Sequence, residues 1–449
     1  MRGRSGGAPA AHAPAGCEAG LPYPATGCGE IDWSRAPAPD PALRAVVIVP
    51  ARDEAGLLPR ALHALRAQTG VAPRAFEVLV LANNCSDDTA ERARAVAAGA
   101  AGCPVHVVDA TLAAPLAHVG AARRALFDEA SLRLAAVGAA DGVLLSTDAD
   151  TRVAPDWVAA NLAEIRRGVD AVGGRILTRH DGDGGALALP AGVPAAARLQ
   201  RLDTAYQLLR SRLESLIDPD PADPWPRHHQ HFGASLAVSA AAYRQVGGQP
   251  VVPYLEDEAL VEQLRRHDLR IRHSPTVRVW TSDRLLGRAE VGLAWQLRQW
   301  AEDERAQRRP VVPDPATELA LWRRRAQARA LWSERRQRGT GAAAALIAHW
   351  ADKARVSAAP VTQALASAPS FGAFWHAAEA HRREAGPMAP GDSGACGVDI
   401  DAAVRMLRRW VRHAVAGADI HGAAAVAPAA TPPSRPASPG LPGRGLAPC

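Results

Sequence analysis

The sequence has few cysteines and almost no lysine. Six cysteines stand in 449 residues and none forms a C-x-x-C pair, which excludes a disulfide-stapled scaffold and a zinc ribbon. We therefore expect a reducing compartment, the cytoplasm. Lys353 is the single lysine, and the predominance of arginine is typical of a GC-rich genome. The net charge of +6 thus gives little reason to expect a nucleic-acid partner, and residues 1–300 lack the basic, aromatic-interleaved groove that such a partner needs.

Long apolar runs are also missing. No stretch approaches the roughly 18 to 20 uncharged apolar residues that a membrane-spanning helix requires, and the best run, Gly341–Trp350, is too short. No apolar segment follows Arg2 and Arg4, so we expect neither a membrane span nor a signal peptide. Hydrophobic residues make up 48% of the chain and charged residues 22%, which is typical of a globular protein with a core of domain size.

Composition divides the chain into four parts. Alanine, proline and glycine dominate residues 1–41 and again 417–449, which predicts a disordered leader and a disordered tail. Residues 42–310 combine apolar strands with amphipathic helices and are predicted to form an α/β domain. Residues 311–416 read as helices rich in arginine and tryptophan, which predicts a helical extension that carries no readable motif.

Buried strands alternate with helices at the start of the α/β domain. The predicted strands there are Ala45–Val49, Phe76–Leu81, Val105–Val108 and Gly142–Ser146, and two more strands are predicted further along the chain at Gly233–Val238 and Leu269–His273. This alternation predicts a Rossmann-like, mostly parallel sheet with right-handed crossovers. Ligands in such sheets bind at the carboxyl ends of the strands, so polar residues at those ends are the first candidates for a site.

Two polar motifs at strand ends stand out. Asp148 and Asp150 follow a strand, and two carboxylates at a turn can converge on Mg²⁺ or Mn²⁺ and leave room for a diphosphate. The alternative is a solvated acidic turn. Asn83 and Asn84 end another strand, where their amides could bind a base or a ribose or could simply stabilise a turn and the next helix.

Two further motifs lie at helix starts. Arg123 and Arg124 follow the small residues from Gly120, so an arginine could face a diphosphate, although a surface arginine pair is the simpler interpretation. Glu256, Asp257 and Glu258 precede an apolar helix, and acids at a helix start interact favourably with its dipole. A carboxylate that faces a cleft could instead be a general base.

Together these motifs resemble family 2 glycosyltransferases of the soluble bacterial type. The resemblance covers roughly residues 44–300 and is carried by VVIVPARDE, FEVLVLANNCSDDTAERA, GAARRAL, DGVLLSTDADTRVAPDWV and EDEALVEQL. It implies the GT-A fold of nucleotide-diphospho-sugar transferases, here with a C-terminal helical extension. It also implies a metal-dependent enzyme, using Mg²⁺ or Mn²⁺, that moves one sugar from a nucleoside diphosphate sugar to an acceptor hydroxyl with inversion.

The resemblance further implies roles for residues on the donor side. Pro50 and Glu54 match the pattern that lines the base and ribose pocket. Asn83 stands where an aspartate usually accepts a bond from uracil, so the base of the donor is left open. Arg123 matches the arginine near the diphosphate, and Asp148 matches the residue near the ribose and the metal.

For the metal and the chemistry, the resemblance implies three more assignments. Asp150 matches the metal ligand itself, and Asp257 matches the catalytic base, with Glu256 beside it. His273, which ends the strand after this acidic helix, is placed to be an additional metal ligand. Its rivals for that role are His228, His229 and His231.

Four other functions share parts of this pattern. A retaining GT-A enzyme of the glucosyl- or mannosyl-glycerate synthase type is compatible with a histidine after the acidic helix. A non-catalytic nucleotide-sugar-binding protein would use the helical extension for interactions, although Asp150 and Asp257 argue against it. A nucleotidyltransferase would need a glycine-rich loop after its first strand, where this chain has only Gly56. A processive synthase is disfavoured because Gln299 replaces the arginine of its Q-x-x-R-W signature.

Overall fold

The computed structural model describes residues 31–179, 193–285, 287, 292–339, 341, 343–384 and 397–417. Most of the predicted leader and nearly all of the predicted tail lie outside these residues. The end of the leader, 31–41, is described, and there Ile31 and Trp33 pack against the core of the sheet domain. Arg133 also donates a hydrogen bond to the Pro37 carbonyl, at 2.9 Å.

One large sheet organises the first part of the chain. Its strands are β1 Ala45–Ala51, β2 Phe76–Asn83, β3 Val105–Ala110, β4 Val143–Ser146, β5 Thr151–Val153, β6 Ala171–Arg179, β7 Leu236–Ser239 and β8 Ile271–Ser282. Their order across the sheet is β3-β2-β1-β4-β7-β6-β8-β5. The neighbours from β3 to β4 are parallel, as are β6 and β8, whereas β7 is antiparallel to both of its neighbours and β5 to β8. The mostly parallel α/β sheet predicted from the sequence is thus confirmed.

Helices cover both faces of this sheet. They are α1 Leu58–Arg66, α2 Thr89–Ala97, α3 Val119–Ala136, α4 Trp157–Arg166, α5 Val193–Ile217, α6 Ala240–Gln245, α7 Glu256–Arg266 and α8 Leu293–Arg305. Successive side chains of β1 point to opposite faces: Val47 and Val49 pack with α1, α2 and α4, whereas Val46 and Ile48 pack with α3, α6 and α7. Both faces are apolar, which explains why the first strands read as continuous hydrophobic runs.

Two predicted strands differ from the structure. Gly233–Ser235 is a single 3-10 turn, and β7 begins only at Leu236. The backbone of Gly233 instead bonds side chains, as described below. The predicted strand Leu269–His273 begins at Ile271 and continues to Ser282, with an irregularity where its register against β6 shifts.

The C-terminal helices pack directly on the sheet domain. The remaining elements are β9 Val311–Pro313, α9 Pro315–Arg338, α10 Ala344–Ala354, α11 Ala358–Ser367, α12 Phe371–Glu384, β10 Gly397–Asp399 and α13 Ile400–Val415. Helix α5 shares a core with α9 and α13 that includes Tyr206, Trp322 and Trp410. The N-terminus of α12 is capped by Asp268, whose carboxylate accepts the N–H groups of Phe371 and Gly372. None of the described helices is both long and apolar enough to cross a membrane.

Candidate active site

The carboxyl ends of β1 and β2 bring two loops together. Pro50 and Asn83 are buried at these ends. Asn84 has a left-handed backbone with φ of 55°, and its amide donates to the Leu112 carbonyl at 3.0 Å and accepts from the Leu112 N–H at 3.1 Å. Glu54 is buried after β1, and its N–H donates to Thr89 Oγ1 at 2.7 Å. The residues predicted to bind the base and the ribose therefore lie at or just after the carboxyl ends of β1 and β2.

Arg123 connects the two acidic motifs. Its side chain is 3% exposed, and Nε donates to Glu256 Oε1 at 2.9 Å while Nη2 donates to Asp148 Oδ1 at 3.0 Å. Nη1 donates to the Gly233 carbonyl at 3.0 Å and also to the Ser146 hydroxyl. Four of its five N–H groups are thus used within the protein. Burial alone would lower the pKa of Arg123, but the carboxylates of Glu256 and Asp148 outweigh it and raise that pKa.

Asp257 lies beside this arginine in the first turn of α7. Its Oδ2 accepts the Gly233 N–H at 2.6 Å and its Oδ1 accepts the Glu258 N–H at 2.8 Å. Burial raises the pKa of Asp257 well above its usual range, and the neighbouring charge of Glu256 raises it further. A carboxyl group that is oriented by two N–H donors and has a raised pKa is suited to accept a proton near neutral pH.

Arg284, which the sequence did not single out, binds the other two predicted acids. It follows β8, and its guanidinium pairs with both oxygens of Glu54, by Nη1 at 2.9 Å to Oε2 and by Nη2 to Oε1. Nη2 also lies 3.0 Å from Asp150 Oδ2. Burial raises the pKa of Asp150 to about 6; Arg284 opposes this shift, and the charges of Asp148 and Glu54 add to it. Negative charge is therefore concentrated around Asp150.

The contacts of His273 differ from the prediction of a metal ligand. Its Nδ1 lies 2.7 Å from Asp223 Oδ2, and its Nε2 lies 3.0 Å from Nδ1 of His231. Both ring nitrogens thus have protein partners, and neither partner is one of the predicted metal ligands Asp148 and Asp150. A ring with both nitrogens engaged has no lone pair left for a metal ion.

A separate group of possible metal ligands lies at the first two strand ends. One ligand atom each from Asp53, Cys85 and Asp87 falls within 4.8 Å of the others. However, Asp53 accepts from the Ser86 N–H at 2.6 Å, and Asp87 accepts from the Ala55 N–H at 3.3 Å. Because a thiol is a poor ligand for Mg²⁺ or Mn²⁺, we interpret this group as a connection between the loops after β1 and β2.

The comparison with known families now fits this geometry. Residues 46–195 match the sequence model of Glycosyl transferase family 2. Over these residues, about a third of the chain, the sequence is similar to that family. The family match, together with the sheet, confirms the predicted GT-A fold and the assignment of the chain as a glycosyltransferase. A search of curated proteins gave no match.

Several solved glycosyltransferase structures are distantly similar. The chain is 18% identical to the mannosyltransferase PcManGT from Pyrobaculum calidifontis in complex with GDP-Man and Mn²⁺, covering 78% of this chain and 91% of that one with a TM-score of 0.39. S. aureus TarS 1-349 in complex with UDP-GlcNAc is 14% identical over 76% of this chain and 92% of that one, with a TM-score of 0.36. Glucosyl-3-phosphoglycerate synthase from Mycobacterium tuberculosis is 15% identical over 60% and 80%, with a TM-score of 0.30.

Proposed function

We propose that this glycosyltransferase moves a single sugar from a nucleoside diphosphate sugar to an acceptor hydroxyl, with inversion at the anomeric carbon. The observation that carries the proposal is the position of Arg123. Its guanidinium binds Asp148, at the strand end expected for the donor, and Glu256, the neighbour of the proposed base. In this proposal one buried side chain therefore connects the donor side of the site with the helix turn that carries the base.

In this proposal Asp257 is the general base. Its carboxylate removes the proton of the acceptor hydroxyl while the acceptor oxygen forms a bond to the anomeric carbon. The bond from that carbon to the diphosphate breaks, and the diphosphate leaves with the electron pair. The N–H groups of Gly233 and Glu258 orient the carboxylate for this step. A single displacement inverts the anomeric configuration.

The carboxylates around Asp150 fit a hard divalent cation. Oxygen ligands suit Mg²⁺ or Mn²⁺, and the raised pKa of Asp150 reflects burial next to the charges of Asp148 and Glu54. We propose that Asp150 and Asp148 would hold the cation, and that Pro50, Glu54 and Asn83 line the nucleotide. When bound, such an ion stabilises negative charge on a leaving diphosphate. Arg284 would then remain with Glu54.

We also propose a division of the chain that follows these residues. Residues 42–310 form the GT-A domain that holds every proposed donor contact, and residues 311–416 form the helical extension packed on it. We propose a cytoplasmic location, with which the free cysteines Cys85 and Cys103 are compatible.

The metal role is tested with Asp150→Ala. A thermal-shift panel of UDP-, GDP-, ADP- and dTDP-glucose, with and without Mn²⁺, identifies the donor, because a bound ligand raises stability by mass action. Asp150→Ala should abolish the Mn²⁺-dependent part of the donor shift and most turnover. The matched control is Asp156→Ala, an exposed aspartate that precedes α4, and it should behave as wild type.

Two outcomes would contradict the proposal. If Asp150→Ala keeps near-normal activity in the presence of a chelator, the metal role is wrong. If NMR of the first-formed product shows the anomeric configuration of the donor, the enzyme is retaining and a direct displacement is refuted.

A further inference from the structure

The segment 231–233 contacts the proposed base and Glu258 directly, and it reaches Glu256 through Arg123. The Gly233 N–H binds Asp257 Oδ2 at 2.6 Å, and the Gly233 carbonyl accepts from Arg123, which holds Glu256. His231 Nε2 lies 3.0 Å from Glu258 Oε2, an ion-pair distance without the angle of a hydrogen bond. The first turn of α7 is therefore linked to this segment at three successive positions, directly at Asp257 and Glu258 and through Arg123 at Glu256.

The segment is fixed by the contact of its own His231 with the buried His273 and by the close approach of β6. His231 Nδ1 lies 3.0 Å from His273 Nε2, and His273 is fixed by Asp223, which accepts its backbone N–H at 2.9 Å as well as contacting its ring. A Cβ added at Gly173 of β6 would lie 2.3 Å from the Gln230 carbonyl, so the sheet backbone approaches this segment closely. The segment has little room to shift.

A chain of ion pairs continues from Asp223 to the C-terminal helices. Arg227 Nη1 lies 3.0 Å from Asp223 Oδ2, and its Nη2 lies 2.6 Å from Glu214 Oε2 on α5. Glu214 Oε1 in turn lies 2.7 Å from Arg325 Nη2 on α9, and Arg325 Nε also pairs with the buried Asp218. Polar contacts thus run without a break from the first turn of α7 to the helical extension.

Such a chain is expensive to bury, because each charge loses its hydration. The proposed reaction uses none of these side chains directly. Apolar side chains could pack α9 on α5 without that desolvation, as Trp322 already does in the adjoining core. These contacts have one thing in common: the series of ion pairs ends at the segment 231–233, which orients Asp257.

We propose that His231 and His273 are positioning residues for the Asp257 carboxylate, and that the C-terminal helices support this position through Arg325. The inference rests on the proposed function of Asp257. It predicts that interrupting this series of polar contacts lowers turnover without weakening donor binding, because the proposed donor contacts lie at the ends of β1, β2 and β4. The helical extension would then be required for catalysis rather than for donor binding.

Two variants with matched controls test the proposal. His231→Phe keeps a planar ring and removes both nitrogens. Its control is His106→Phe, which removes a histidine of β3 that lies 3.3 Å from Glu77. Arg325→Met removes the ion pairs that connect α9 to Glu214 and Asp218. Its control is Arg335→Met on the same helix, whose guanidinium donates to the carbonyls of Ala366 and Ala368 within the extension.

Each variant is assayed for hydrolysis of the nucleotide-glucose that gave the largest thermal shift, which needs no acceptor other than water. Hydrogen exchange of peptides covering 228–236 and 256–260 is measured on the same preparations. His231→Phe should lower kcat by about 10- to 100-fold, since small displacements of a catalytic group have effects of this size. Arg325→Met should lower kcat by about 2- to 30-fold. Donor Kd should stay within about 2-fold, and exchange should rise in both peptides.

The controls and the exchange data separate the possible failures. His106→Phe and Arg335→Met should leave kcat and exchange in the two peptides unchanged, even if their melting temperatures fall. The proposal is overturned if Arg325→Met or a folded His231→Phe keeps wild-type kcat and exchange, or if the controls change both equally. If the wild-type protein hydrolyses none of the donors, the proposed function has failed. Unchanged exchange in Arg325→Met would then refute the positioning role separately.

Discussion

Asp257→Asn is the most informative single substitution. The carboxylate accepts two N–H groups, and in asparagine one of these acceptors becomes an NH₂ group that faces another N–H donor. The lost hydrogen bond and the unsatisfied donor together cost about 1–3 kcal/mol of stability. Asparagine cannot accept the proton, so kcat should fall by about 100-fold or more, with donor Kd nearly unchanged because the base contacts the acceptor.

Loss of stability cannot account for that fall in kcat. Domains unfold with a free energy of roughly 5–15 kcal/mol, so even a loss of 3 kcal/mol leaves nearly all molecules folded. The wild-type rate should also fall as the pH drops through the raised pKa of Asp257, because a protonated carboxyl cannot act as a base. In Asp257→Asn this acidic limb should be absent. Melting temperature, donor Kd and kcat are measured on one preparation.

Asp156→Asn is the matched control because it changes an exposed aspartate outside the proposed site. It should leave both the rate and its pH dependence unchanged. A destabilised but fully active Asp257→Asn would refute the assignment of the base, and Glu256 would become the next residue to test.

Two further predictions concern the residues that hold the acids. Arg284→Met leaves Glu54 and Asp150 without their cation and should cost about 1.5–3 kcal/mol at pH 8; the loss should shrink at pH 5, where Asp150, whose pKa is already raised to about 6, is protonated. Equal losses of melting temperature at the two pH values would refute this linkage. Gly233→Ala places a Cβ 2.4 Å from the Arg123 guanidinium and should cost about 1–3 kcal/mol and most activity, whereas Gly56→Ala, with open space around it, should do neither.

The sequence predicted well those elements whose signal is local. Continuous apolar runs correctly located β1, β2 and β4, because strands buried on both faces need no polar alternation. Asp148 and Asp150 follow β4, and Glu256 and Asp257 begin α7, because each lies next to an apolar segment whose limits the sequence already indicates. The 3-10 turn at Gly233–Ser235 was predicted as a strand because its apolar residues match a strand pattern, while its backbone partners lie elsewhere in the chain.

Contacts between distant parts of the chain were not readable from the sequence. Arg284 and Glu54 are 230 positions apart, and no local spacing relates them. The contacts of His273 differ from the predicted metal-ligand role for a similar reason. Asp223 and His231 approach this residue only once β8 has paired with β6. No local signal singled out Arg284, because the strand predicted to end at His273 continues to Ser282 in the structure.

The long range of the Arg123 contacts has a consequence for how the protein forms. The family match ends at residue 195, before β7, α7 and β8 have been synthesised. A nascent chain of that length would contain Arg123 with Ser146 and Asp148 but without Gly233 and Glu256, and β4 would expose the edge that β7 later covers. Unpaired edges and late pairings slow folding and favour aggregation. The proposed site therefore assembles only after the chain has been synthesised beyond Arg284, which pairs with Glu54 and Asp150.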